Sequence, residues 1–263
     1  MTASLEISQD PRGIVTLTLN RPEVHNPFDA SLIAALTDHL QRLDADATVR
    51  VVILSGAGKS FSAGADLNWM RSTANYDRER NLEDAEKLAE MMSLLNRLSK
   101  PTIARINGPA YGGGLGLIAC CDIAIAVQSA RFALTEVRLG LVPAVISPYV
   151  IACIGQRQAR RFFLTAEPIS ATQAARIGLV HEVVAEEGLD AALERTVGLL
   201  LQAGPHALAH CKELIGTVYR DQNLSDALAF HTAELISELR VSAEGQEGLT
   251  AFLEKRPPYW RSK

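Results

Sequence analysis

Val15, Leu17 and Leu19 alternate with Thr16 and Thr18, the period of two expected of a strand with one buried face. This pattern predicts strands over 5–9 and 13–19 around the Asp10-Pro11 break, and Asn20-Arg21-Pro22 ends the second. Leu32, Leu36, Leu40 and Leu43 recur at helical spacing, which predicts a helix over 29–44 with Asp29 as its N-cap. The apolar run 49–54 predicts a buried strand, and the small-residue run 55–66 predicts a loop. From residue 76 the chain is heavily charged, but Leu88, Met92, Leu95 and Leu98 line one helical face until Lys100-Pro101. Short strands follow over 102–106, 123–127 and 132–134. The recurring unit is a strand pair, a loop and a helix, which points to an α/β fold of similar stacked units.

After residue 134 the pattern turns helical, over 156–165 and 170–177 with Gly178 as a C-cap. A small strand over 181–184 precedes helices near 189–201, 205–219, 225–239 and 243–254. These last helices are amphipathic and need a surface to cover them, either the core or a partner subunit. The expected organisation is a core over 1–195 and a helical region over 196–263.

At 263 residues with 48% hydrophobic and 21% charged residues, the chain is globular, which excludes disordered and coiled-coil classes. A net charge of -4 offers no cationic field for nucleic acid or an anionic membrane. The longest apolar stretch, 110–127, contains four glycines and Asp122, so it does not read as a membrane span. The N-terminus has no basic segment followed by an apolar one, and the expected compartment is the cytoplasm. Cys120, Cys121, Cys153 and Cys211 sit in apolar surroundings without metal-ligand spacing, so free buried thiols and no metal are expected.

Three segments carry candidate chemistry. Phe61-Ser62-Ala63-Gly64-Ala65-Asp66-Leu67 is small enough for close backbone approach to a ligand. Asn107-Gly108-Pro109-Ala110-Tyr111-Gly112-Gly113-Gly114 lies between a strand and an apolar helix, where N–H groups can hold an oxyanion or phosphate. It is neither a dinucleotide fingerprint nor a phosphate loop. Glu136 lies between apolar runs, with Arg138 as the nearest structural partner. Two donor loops and one half-buried carboxylate suit acyl chemistry.

The segments FSAGADLNWM (61–70), INGPAYGGGLGLIACCDIAIA (106–126) and FALTEVRLGLVPAVISPYV (132–150) closely resemble the enoyl-CoA hydratase/isomerase, or crotonase, family. Asn20-Arg21-Pro22-Glu23, Phe163-Leu164-Thr165 and the stretch from Phe252 to Arg256 agree, so the likeness spans nearly the whole chain. The resemblance implies a spiral of β-β-α units with a C-terminal helical trimerisation region, and trimers that pair into hexamers. It implies an acyl-CoA thioester substrate, with coenzyme A carried as part of the substrate and no separate cofactor. By motif position, the backbone N–H groups of Ala65 and Gly113 would hold the thioester oxygen, and Glu136 would be the catalytic acid/base. Two-acid hydratases of the family carry another glutamate at the position of Gly116; its absence keeps an isomerase open. The segments 65–70 and 134–143 are similar to bacterial methylglutaconyl-CoA hydratases and to isohexenylglutaconyl-CoA hydratases. The resemblance also suggests CoA contacts at Arg21, His25, Ala63, Asp66, Phe252 and Lys255. Trp69, Met70, Tyr111 and Gly116 would border the acyl pocket.

Overall fold

Two strands, β1 (Leu5–Gln9) and β2 (Ile14–Leu19), pair antiparallel, with Leu5 opposite Leu19. The Asp10 carboxylate holds the turn by accepting from the N–H groups of Arg12 at 2.8 Å and Ile14 at 3.3 Å. In the computed structural model, which describes residues 4–221 and 225–261, seven more strands follow. They are β3 (Val51–Gly56), β4 (Thr102–Ile106), β5 (Ala110–Tyr111), β6 (Ile123–Val127), β7 (Arg131–Ala133), β8 (Ile169–Ser170) and β9 (Glu182–Val184). One sheet runs β1-β2-β3-β4-β6-β9, and every pairing after the first is parallel. A small second sheet runs β5-β7-β8. The expected β-β-α units and helical C-terminal region are both present. Val51 to Leu54 are all buried, which suits a strand flanked on both sides by parallel neighbours.

The helices are α1 (Ala30–Ala45), α2 (Leu67–Thr73), α3 (Arg78–Arg97), α4 (Gly113–Cys120), α5 (Ser147–Thr165), α6 (Ala171–Arg176), α7 (Leu189–Leu201), α8 (Pro205–Arg220), α9 (Asp226–Val241) and α10 (Ala243–Leu253). Asp29 caps α1 by accepting from the Leu32 N–H, and Leu32, Leu36 and Leu40 are buried as their spacing requires. Three differences from the sequence pattern have local causes. The seven-residue α2 is too short to show a period and depends on its Asp66 cap. Helix α5 starts nine residues before the expected 156, because Gly155 (φ 71, ψ 158) interrupts it and hides its first half. Strand β5 is only two residues long.

Asp122, the one charge in the apolar stretch 110–127, joins two elements. It accepts from the Thr102 N–H at 2.7 Å and from Lys212 Nζ at 2.6 Å, which ties β4 to α8. Cys120 and Cys121 are buried as expected, but Cys211 is exposed on the uncovered face of α8. No residue of α8 is buried within the chain, and Ile215, Tyr219, Phe230, Phe252 and Leu253 are exposed. The tail folds back to the beginning of β3: Trp260 Nε1 donates to the Gln202 carbonyl at 3.1 Å, and Arg50 donates to the carbonyls of Ala203 and Trp260. Among the described residues no helix is long and apolar enough to cross a membrane. Nor does any group of three His, Cys, Asp or Glu side chains form a metal site among them. The first three residues of the N-terminal stretch lie outside the described residues.

Candidate active site

Strands β3 and β4 run parallel, so the loops leaving their C-terminal ends meet at one edge of the sheet. Phe28 joins the first loop: its N–H donates to Gly64 and its carbonyl accepts from Asp66, both at 2.7 Å. These bonds bracket Ala65 in a parallel bridge, whose geometry turns the Ala65 N–H away from Phe28. Gly113 is the first residue of α4, where an N–H has no partner inside the helix. Among the described residues neither N–H has a protein acceptor. A Cβ built on Gly113 would lie 3.2 Å from Phe28 Cε2, so one phenylalanine touches both donor segments.

Glu136 opens the short 3-10 turn Glu136–Leu139, which the left-handed Gly140 (φ 73) closes. Its side chain lies over Gly112: a Cβ there would be 3.2 Å from Glu136 Oε1, and Gly112 itself has φ +49. The left-handed φ favours glycine at 112, and a side chain there would press on the Glu136 carboxylate. Glu136 Oε2 is buried without a hydrogen-bond partner. Burial pushes this carboxyl above the usual glutamate range, opposed by its own backbone N–H. Arg138 is not its partner; it donates to the Ala166 carbonyl at 2.8 Å.

Ala65, Gly113, Glu136 and Trp69 line one pocket of about 210 Å³, together with Phe28, Leu88 and residues 142–146. Among the described residues Glu136 is its only titratable group. Of the other expected pocket residues, Met70 and Tyr111 are partly exposed but outside the lining. Gly116 is corrected more firmly. It is buried in α4 behind the wall, and a Cβ there would overlap Ile146 Cγ2 and lie 2.9 Å from Ile146 Cβ and 3.0 Å from Met92 Cε. Ile146, not residue 116, faces the pocket. Phe28, Leu88 and Ile146 escaped the sequence reading because single apolar residues outside the glycine segments carry no chemical signal.

The expected CoA contacts separate into three groups. Arg21 and Asp66 are committed to each other. Arg21 Nη1 meets Asp29 Oδ2 at 2.8 Å and Nη2 meets Asp66 Oδ2 at 2.7 Å, so one guanidinium joins the N-caps of α1 and α2. Burial raises the Asp66 carboxyl, but the Trp69 N–H, Arg21 and the Asn68 N–H outweigh it and hold it below the usual range. The Asp66 backbone is also occupied, donating to Phe28 and accepting from Met70. In the second group, the Ala63 N–H donates to the His25 carbonyl at 2.8 Å, which leaves the Ala63 carbonyl as its polar backbone group for a ligand. His25 is exposed, with Nδ1 2.9 Å from Ser60 Oγ. The third group, Phe252 and Lys255, lies outside the pocket lining, on the segment whose tail is anchored at the beginning of β3.

Arg21→Ala is therefore expected to cost about 1.5–3 kcal/mol of stability, the range for hydrogen bonds to charged groups. It should lower kcat more than it raises KM, because the caps it joins flank Ala65. Urea melts and thioester kinetics check this; a variant that loses only CoA affinity would make Arg21 a ligand instead.

Residues 9–263 match the enoyl-CoA hydratase/isomerase family profile. The fold superposes on an enoyl-CoA hydratase from Shewanella pealeana with a TM-score of 0.95 at 44% identity, covering 98% of this chain and 96% of that one. The chain is 33% identical to the 2,3-dehydroadipyl-CoA hydratase of Escherichia coli, over 99% of this chain and 100% of the relative. It is 31% identical to the crotonyl-CoA hydratase of Syntrophomonas wolfei, over 98% of each. In sequence and in fold, this chain belongs to the enoyl-CoA hydratase/isomerase family.

Proposed function

We propose that the chain adds water to α,β-unsaturated acyl-CoA thioesters. One observation carries this reading: an unpartnered buried oxygen of Glu136 shares a pocket with two N–H groups that have no protein acceptor. The thioester oxygen accepts from Ala65 and Gly113. The Glu136 carboxylate orients a water and takes its proton as the hydroxyl bonds to the β-carbon. The π electrons move onto the thioester oxygen as an enolate, where preorganised donors stabilise developing charge most. Glu136 then returns the same proton to the α-carbon, and the carbonyl reforms. One carboxyl can balance the whole addition, on one face of the double bond.

For the substrate we propose 3-methylglutaconyl-CoA, giving 3-hydroxy-3-methylglutaryl-CoA in leucine breakdown. The likeness of 65–70 and 134–143 supports it, as does a relative named for another thioester of a dicarboxylic acid, 2,3-dehydroadipyl-CoA. The pocket lining holds no Lys, Arg or His, so the distal carboxylate finds no cation there. Isohexenylglutaconyl-CoA and crotonyl-CoA are the alternatives. A homotrimer or a hexamer would cover the exposed apolar residues of α8 to α10 and bring Phe252 and Lys255 to a neighbour's site. The single carboxylate favours a second reading, a Δ3-Δ2-enoyl-CoA isomerase in which Glu136 moves a proton without water.

Product mass after incubation with 3-methylglutaconyl-, isohexenylglutaconyl-, crotonyl- and a 3-enoyl-CoA separates these readings. A gain of one water on the first, with crotonyl-CoA much slower, is the expected result. Turnover of the 3-enoyl substrate alone, with mass unchanged, overturns hydration.

A further inference from the structure

A second cavity of about 240 Å³ lies between α1 and α3, and Trp69 lines both it and the active-site pocket. The same segments border both spaces. Phe28 faces the pocket while Ile33 and Ala34 face the groove; on α3, Leu88 faces the pocket while Lys87 and Glu90 face the groove. The pocket alone is smaller than the roughly 300–1,000 Å³ of typical ligand sites, and the two spaces together fall within that range. We propose that Trp69 is the partition that ends the acyl pocket, and that the α1/α3 groove is the subsite its displacement opens to the distal methylenes of a longer acyl chain.

The groove's chemistry selects the ligand. Its floor is apolar, from buried Ile33 and the indole, with exposed Ala34 at its side. Its rim carries Asp38, Asp84 and Glu90 against Lys87 alone, and Lys87 already lies 3.7 Å from Asp84. A neutral hydrocarbon tail fits there, whereas a distal carboxylate meets like charge. Trp69 is well placed to act as a partition. It sits on α2, whose first turn is fixed by Asp66 accepting from the Asn68 and Trp69 N–H groups at 2.7 and 3.1 Å. Replacing its side chain therefore leaves the cap and the Ala65 bridge in place.

This inference rests on the acyl-thioester reading, so its test has a readout that does not require turnover. Calorimetry with saturated acyl-CoAs, from butyryl to lauroyl, gives the ratio of long-chain to short-chain affinity. Trp69→Ala is expected to raise that ratio by about tenfold or more, the scale of methylene discrimination in apolar sites. Trp69→Phe, which keeps most of the partition, should change it less. Ala34→Phe, added to Trp69→Ala, should fill the groove and reverse the gain. The kcat/KM profile over 2-enoyl-CoAs of the same lengths should shift in parallel. An unchanged affinity ratio in Trp69→Ala overturns the partition whatever the turnover. A shifted ratio in a protein that hydrates no enoyl thioester overturns the hydratase reading and leaves the partition standing.

Discussion

Glu136→Gln is expected to lower kcat/KM for hydration by about 10²–10⁴-fold, the usual contribution of a positioned acid or base. The loss belongs at the upper end, because in the proposed reaction one carboxyl both takes and returns the proton and, among the described residues, no other titratable group lines the pocket. Acyl-CoA affinity should hold, since the amide keeps the carboxylate's shape and both backbone donors are untouched. Turnover retained at the wild-type level would place the base elsewhere. Burial raises the Glu136 carboxyl, which fixes two signs of pH dependence. The water-activating form is the ionised one, so activity falls as pH falls, on a limb above the ordinary glutamate range. Stability runs the other way. Below the ordinary glutamate range both folded and unfolded states hold the proton, and Glu136 costs nothing. As pH rises through the unfolded and then the folded value, the folded chain must hold an ionised carboxylate that burial disfavours. Glu136→Gln should therefore be more stable than the wild type at neutral pH and no more stable at about pH 4, near the unperturbed glutamate value. Thermal melts at the two pH values check this, and equal differences at both would remove burial as the cause.

The parts of this site that were legible in sequence are those with a local signature. Glycines at 112 and 113 after a strand announce a close backbone approach, and Glu136 between apolar runs announces a carboxylate with a task. The helical periods of α1 and of α7 to α10 were legible for the same reason, since each repeats within its own segment. What could not be read is set by contacts distant in sequence. Arg21 looks like a free cation near a ligand loop, but its partners lie 8 and 45 residues away. Phe28 follows Pro27 with no pattern around it, yet its backbone brackets Ala65 and its ring lies against Gly113, the two proposed donors. The pocket's far wall comes from residues 142–146, whose place beside Ala65 and Gly113 has no local sign in the sequence and arises only when the fold brings them against α4.

Gly116→Glu is the variant that the family resemblance invites, because it would restore the second acid. The expected result is no gain in hydration and a loss of about 3–5 kcal/mol in stability, from overpacking together with an unpaired buried charge. The first atom of the new side chain would already overlap Ile146 Cγ2 and press on Met92 Cε at 3.0 Å. Met92 is fully buried, and Ile146, 3% exposed, can yield only into the pocket it lines, at the expense of the acyl space. Such a loss is a large share of the roughly 5–15 kcal/mol that holds a typical domain folded. Ile146→Ala would not relieve it, because the Ile146 Cβ is itself 2.9 Å from the built atom. Ile146→Gly removes both Ile146 contacts, leaves only the flexible end of Met92 to shift, and opens position 116 toward the pocket that Ile146 lines. The double variant Gly116→Glu/Ile146→Gly should thus recover much of the lost stability and hydrate crotonyl-CoA faster than Gly116→Glu alone. Urea melts and the crotonyl-CoA rate decide the matter, and wild-type stability in the single variant would show that the wall yields. Gly116 and Ile146 are two halves of one feature: the space a second acid would need is filled by a hydrophobe. In the hydration proposed above, such a chain would rely on Glu136 for both proton steps, because its far wall is packed where a second carboxylate would stand.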